Sequence, residues 1–101
     1  MASYTTIEDW QDVEDGYVID VTIRQTEDKK YPCGWDYSLH HGEVGGDTIL
    51  RYDNAHEQTK GHERHTRNGV EIIEFPGMLT LYDRFQRETE EMSPVSWKWS
   101  E

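Results

Sequence analysis

The sequence predicts an α+β domain, a five-stranded antiparallel sheet of meanders and hairpins with a C-terminal amphipathic helix over one face. Three observations carry this. Residues 17–25 alternate, with Ile19, Val21 and Ile23 on one side and Asp20, Thr22 and Arg24 on the other, the period of a half-buried strand. Asn68-Gly69 lies between two strand-like runs, and both central residues of a type I′ hairpin need the positive φ that Asn and Gly tolerate best. Beyond Phe75 the period changes: Met78, Leu81, Tyr82, Phe85, Thr89 and Met92 recur at three and four, the spacing of a helix with one apolar side.

Taken in order, residues 1–16 are polar and acidic and read as a mostly irregular lead-in. Thr6-x-x-Asp9 is a weak cap for a short helix bearing Ile7 and Trp10. After the first strand, residues 26–34 form a connector with Pro32 and Gly34. Residues 35–41 alternate again, Trp35, Tyr37, Leu39 and His41 opposite Asp36, Ser38 and His40. A glycine-rich turn over 42–47 leads to a third strand, 48–53, with Leu50 and Tyr52 on one face and Ile49, Arg51 and Asp53 on the other. Residues 54–61 read as a polar loop, and 62–67 and 70–75 as the hairpin arms. Pro76-Gly77 stop the last strand, and Pro94 cannot continue the helix. The domain is expected to span 17–93, with a tryptophan-containing tail over 94–101 that crosses the sheet edge or hangs free.

A chain of 101 residues supports one modest core. No apolar run approaches the roughly 18–20 residues of a membrane span, and no signal peptide is expected. The single cysteine, Cys33, cannot pair internally and reads as a plain thiol in a reducing cytoplasm. A net charge of −11 excludes a broad phosphate-binding surface, whose affinity would rest on many Lys and Arg. With 21 acidic residues against four lysines and six arginines, the composition also resembles that of proteins from salt-loaded cytoplasms. There a Debye length of about 3 Å at molar salt screens self-repulsion.

Against that background residues 49–69 stand apart. They carry four positive and three negative side chains, so one basic, histidine-rich island lies in an acidic chain. RNA cleavage through the 2′-hydroxyl needs a base, an acid and cations for the phosphorane charge. Histidine suits both proton-transfer roles because its ordinary pKa lies near working pH. The candidate catalytic residues are His56, His62, His65 and Asp53. Arg51, Tyr52, Asn54, Lys60, Arg64 and Arg67 are the candidate substrate-binding residues, with Arg able to hold a phosphate bidentately. Asp53, His56, His62 and His65 are also metal-ligand types. On a strand, however, His62 and His65 point to opposite faces, so no metal and no cofactor is expected.

The run Arg51-Tyr52-Asp53-Asn54-Ala55-His56 is followed by a short spacer and His62-Glu63-Arg64-His65. A hairpin, Glu74-Phe75 and a helix containing Asp83-Arg84-Phe85 complete the pattern. This resembles the TumE-type family of toxin components of toxin–antitoxin modules, over about residues 17–92; the most specific part is YDN-x-H with H-x-x-H downstream. The resemblance implies a cytoplasmic protein, not bound to membrane, encoded beside a DNA-binding antitoxin of helix-turn-helix type that masks it. The resulting expectation is a toxin acting on RNA by metal-independent His acid/base chemistry, with a homodimer left open. The alternative is a non-catalytic regulatory protein that engages a protein or nucleic acid through the island.

Overall fold

A computed structural model describes residues 2–95 and 97. Among these, six strands form one antiparallel sheet whose spatial order follows the chain: β1 (Tyr4–Glu14), β2 (Tyr17–Thr26), β3 (Trp35–Glu43), β4 (Thr48–Asp53), β5 (His62–Thr66) and β6 (Gly69–Ile73). A single turn of helix, α1 (Glu57–Lys60), interrupts the β4–β5 connection. The long helix α2 (Met78–Met92) follows β6 and lies against β3 and β4.

The period of two decides the two sides of the sheet. Ile19, Val21, Ile23, Tyr37, Leu39, Leu50 and Tyr52 all point to one side. There they form one buried cluster with Met78, Leu81 and Phe85 of α2. Fully burying side chains of this size stabilises by about 1.5–3 kcal/mol each, which makes this cluster the main attraction holding the helix to the sheet. The other side carries Asp20, Thr22, Arg24, Ser38, His40, Arg51, Asp53, Glu63 and His65. We call these the core face and the outer face.

Four features differ from the sequence expectation. Residues 4–14 are not an irregular lead-in but an edge strand, making six strands rather than five. A register shift between Thr6 and Glu8 breaks its alternation, and acidic side chains occupy both faces, so no apolar period marks it. Such charges suit an edge that must not pair with another chain. The β1–β2 hairpin turns on Asp15 (φ +51°) and Gly16 (φ +84°), a positive-φ pair that is itself a strong hairpin signal.

The β5–β6 reversal, by contrast, closes one residue earlier than Asn68-Gly69 predicts, around Arg67-Asn68, with Thr66 opposite Gly69. Only Gly69 (φ +123°) takes positive φ there. Cross-strand partners therefore move by two residues, which leaves every side chain on its expected face. In place of a plain loop, α1 occupies part of 54–61. Of the tail, Val95 and Trp97 are buried in the core cluster and Trp97 meets the His41 ring edge-on, so these two residues do not hang free. Residues 96 and 98–101 lie outside the described residues.

Candidate functional site

The island does not converge on one site; the strand period divides it. On the core face, Tyr52 and Arg64 are cross-strand partners held by the helix. The Tyr52 hydroxyl donates to Glu88, while Arg64 donates Nε to Tyr52 Oη (3.0 Å) and its two terminal nitrogens to Glu71 (2.9 Å) and Glu88 (2.8 Å). Burial and the Glu88 bond push the Tyr52 phenol up to about 12. Arg84 lies over the Tyr52 ring, 5.6 Å from its centre. With its carboxylates satisfied internally, this pair ties β4 and β5 to α2 and presents no free cation to a substrate.

Between sheet and α1 lies a second cluster, around Glu57. Its Oε1 accepts from Asn54 Nδ2 (2.8 Å) and from the Cys33 thiol (3.0 Å), and its Oε2 accepts from the Cys33 amide (3.0 Å). His62 Nε2 stands 3.9 Å from Oε2, while its Nδ1 is 2.7 Å from the Tyr37 hydroxyl. The His62 ring stacks on Phe75 at 4.6 Å. Asn54, fully buried, accepts from the Tyr37 amide (3.0 Å) and donates to the Trp35 carbonyl (2.6 Å). Burial lowers the His62 pKa against an opposing pull from Glu57, and burial together with Glu57 pushes the Cys33 thiol up to about 12. Asn54 thus organises a buried network here. Sequence reasoning missed Cys33, Glu57 and Tyr37 as members, because Cys33 meets Glu57 across 24 positions and Tyr37 meets His62 across 25.

The third group is on the outer face. His40, Arg51 and His65 are directly opposite one another on β3, β4 and β5, with neighbouring Cβ atoms roughly 4.5–5.5 Å apart by sheet geometry. Asp53 Oδ2 is 3.1 Å from Arg51 Nε and 3.3 Å from His65 Nε2, and Glu63 Oε1 is 3.7 Å from the same His65 nitrogen. The Ala55 amide donates to Asp53 Oδ1 (3.3 Å), pinning a carboxylate that is almost wholly buried. His40 Nε2 is 3.2 Å from Thr48 Oγ1. Burial, and then the neighbouring Arg51, lower the His40 pKa and favour the neutral imidazole.

The expected residues are therefore distributed as follows. Arg51, Asp53 and His65 come together on the outer face and gain His40, which the sequence gives only as a strand position. His62 sits apart on the core side. His56, just before α1, and Lys60, its last residue, are exposed, and the His56 carbonyl accepts from the Thr59 and Lys60 amides. Arg67, at the hairpin, is exposed and pairs with Glu43 at 3.2 Å. Of the four metal-ligand types Asp53, His56, His62 and His65, Asp53 and His65 meet, while His56 and His62 lie apart from them. Two other groups place their donor atoms within 4.8 Å of one another: Asp53, Glu63 and His65, and Cys33, Glu57 and His62.

Fold and site define a small α+β protein, a sheet packed against the long helix α2, with a His–Arg–His row across the outer face of the sheet. The family model described as Toxin TumE matches residues 3–93, nearly the whole chain, and the protein belongs to that family. The family places it among the toxin components of toxin–antitoxin systems, which implies an antitoxin partner in general. Neither a curated protein nor a solved structure matches the chain. Among the described residues no helix is long and apolar enough to cross a membrane.

Proposed function

We propose that this toxin acts on RNA, cleaving the strand without metal through His40, Arg51 and His65. The observation that carries the reading is the cross-strand row that sets two imidazoles on either side of one guanidinium. His40, held neutral by burial and Arg51, takes the proton of a 2′-hydroxyl, and that oxygen attacks the adjacent phosphorus. Arg51 stabilises the extra negative charge of the phosphorane. His65, whose Nε2 lies 3.3 Å from Asp53 Oδ2, gives a proton to the departing 5′-oxygen. The products are a 2′,3′-cyclic phosphate and a 5′-hydroxyl. One guanidinium engages one phosphate, which suits a chain too acidic to bind a long backbone tract.

In this reading the toxin works in the cytoplasm, is masked by a DNA-binding antitoxin encoded nearby, and has an acid-rich surface adapted to high salt. Expression alone should arrest growth of the native host type, and the antitoxin should relieve the arrest. His40→Ala, Arg51→Ala and His65→Ala should each slow cleavage of a single-stranded RNA by about 10²–10⁴-fold, the usual weight of one proton-transfer or charge-stabilising group. Rates, melting temperatures and product end groups are the measurements. Full activity in His40→Ala and His65→Ala, or activity abolished by EDTA, would overturn the mechanism.

A second reading rests on the β6 edge, where Val70 and Ile72 are exposed beside His65 and Glu63. An added partner strand there would make the protein a binding module. Absence of any RNA cleavage, with growth arrest retained and lost in Ile72→Lys, is the result that selects it.

A further inference from the structure

Asp53 has Arg51 beside it, and Glu88 has Arg64 and Arg84. Among the described residues Glu63 has only His65, and Glu57 is buried more deeply still without a guanidinium or ammonium. Its side chain is 8% exposed, yet among the described residues its only ion-pair neighbour is His62 at 3.9 Å, and no Lys or Arg reaches it. A carboxylate taken out of water without a counter-charge is costly. Three hydrogen-bond donors, the Cys33 amide, the Cys33 thiol and Asn54, surround it instead.

We propose that Cys33, Glu57 and His62 form a binding site for a zinc-class divalent cation, with a thiolate, a carboxylate and an imidazole as donors. Sulfur and nitrogen donors with one carboxylate favour zinc over magnesium or calcium. Zinc bond lengths in tetrahedral geometry put donor atoms roughly 3.3–3.6 Å apart. Cys33 Sγ and His62 Nε2 lie 3.0 Å and 3.9 Å from the nearer Glu57 oxygens, on either side of that range, and all three donors fall within 4.8 Å. Side-chain shifts of about an ångström close the shell, leaving the fourth position for water.

The supporting groups fit as well. Tyr37 at Nδ1 and the stacked Phe75 orient the His62 ring so that Nε2 faces the cluster. Asn54 donates to the carboxylate at Oε1. Such outer partners usually fix the ring and carboxylate of a metal ligand. Binding replaces the thiol S–H bond by a sulfur–metal bond, and the proton passes to solvent. The outer-face trio is the weaker candidate because Arg51 already lies at Asp53 Oδ2. The proposed site takes no part in the RNA reading, and neither depends on the other.

The test is titration of the intact protein with Co²⁺, followed by Zn²⁺. One equivalent of Co²⁺ should produce the near-ultraviolet thiolate-to-cobalt charge-transfer band with visible tetrahedral bands, and Zn²⁺ should displace it. Zn²⁺ should also raise the melting temperature and shield Cys33 from alkylation. Cys33→Ser should lose the charge-transfer band, and Tyr37→Phe, which keeps the core volume, should weaken binding about 10-fold. The wild-type titration decides without any variant. No charge-transfer band at one equivalent, or unchanged alkylation of Cys33 with Zn²⁺, would leave Glu57 as a hydrogen-bonded structural carboxylate and overturn the proposal. A band that persists in Cys33→Ser would do the same.

Discussion

Asn54 belongs to the Tyr52-Asp53-Asn54 run that resembles the family motif, and in sequence it reads as a substrate contact. Its side chain is fully buried and bridges the Tyr37 amide, the Trp35 carbonyl and Glu57. Asn54→Ala should therefore destabilise the fold by roughly 2–4 kcal/mol, because buried donors and acceptors left unpaired cost about 1–3 kcal/mol each. Urea unfolding measures it; a loss below about 0.5 kcal/mol would mean the network relaxes or water replaces the amide. Tyr52 and Arg64 teach the same lesson. Their chemistry suits phosphate or base contacts, but Glu71 and Glu88 occupy it, and Glu88 is 36 positions from Tyr52.

At the scale of elements, most of α2 is legible from its period. The stripe Met78, Leu81, Tyr82, Phe85, Thr89 and Met92 contains the four buried residues, Met78, Leu81, Phe85 and Thr89, while Tyr82 is half-buried and Met92, in the last turn, is exposed. Leu79, one step off that stripe, is 86% exposed. Phe85→Ala should cost about 3–5 kcal/mol, whereas Leu79→Ala should fall within about 0.5 kcal/mol of neutral. Thermal unfolding of the two variants compares them directly, and equal losses would remove α2 from the core. The first strand is the opposite case. Acidic side chains on both faces hide its period, and the visible cue is the Asp15-Gly16 pair, which sets a hairpin with two positive-φ residues.

For the whole molecule, three histidines share one electrostatic situation. Burial lowers the pKa of His40, His41 and His62 relative to the unfolded chain. His41 is fully buried, donates Nδ1 to the Val18 carbonyl (3.1 Å), and its Nε2 has no hydrogen-bond partner among the described residues. At a given acidic pH the unfolded chain then binds more protons than the folded one, so stability increases with pH. It should be complete above about pH 6.5, the unfolded value, and fall as pH drops below it through the lower folded values. Melting temperatures between pH 8 and 5 should show this, and His41→Gln should flatten the slope. A melting temperature that stays level or rises on acidification to pH 5 would refute the assignment.

The sequence by itself determined the local periods: which residues of β2, β3, β4 and α2 face inward, that the chain is α+β, and the family that the YDN-x-H run resembles. These follow from geometry repeated every two or 3.6 residues, so neighbours in the chain carry the information. It also separated His62 from His65, because adjacent odd and even strand positions point apart. Tertiary structure alone decided the rest. Cross-strand register set His40 beside Arg51 and Arg51 beside His65, across 11 and 14 positions. Chain return through α1 set Glu57 against Cys33, 24 positions apart. Such contacts depend on how whole strands align, and no local pattern of side chains encodes which partner a polar group will meet.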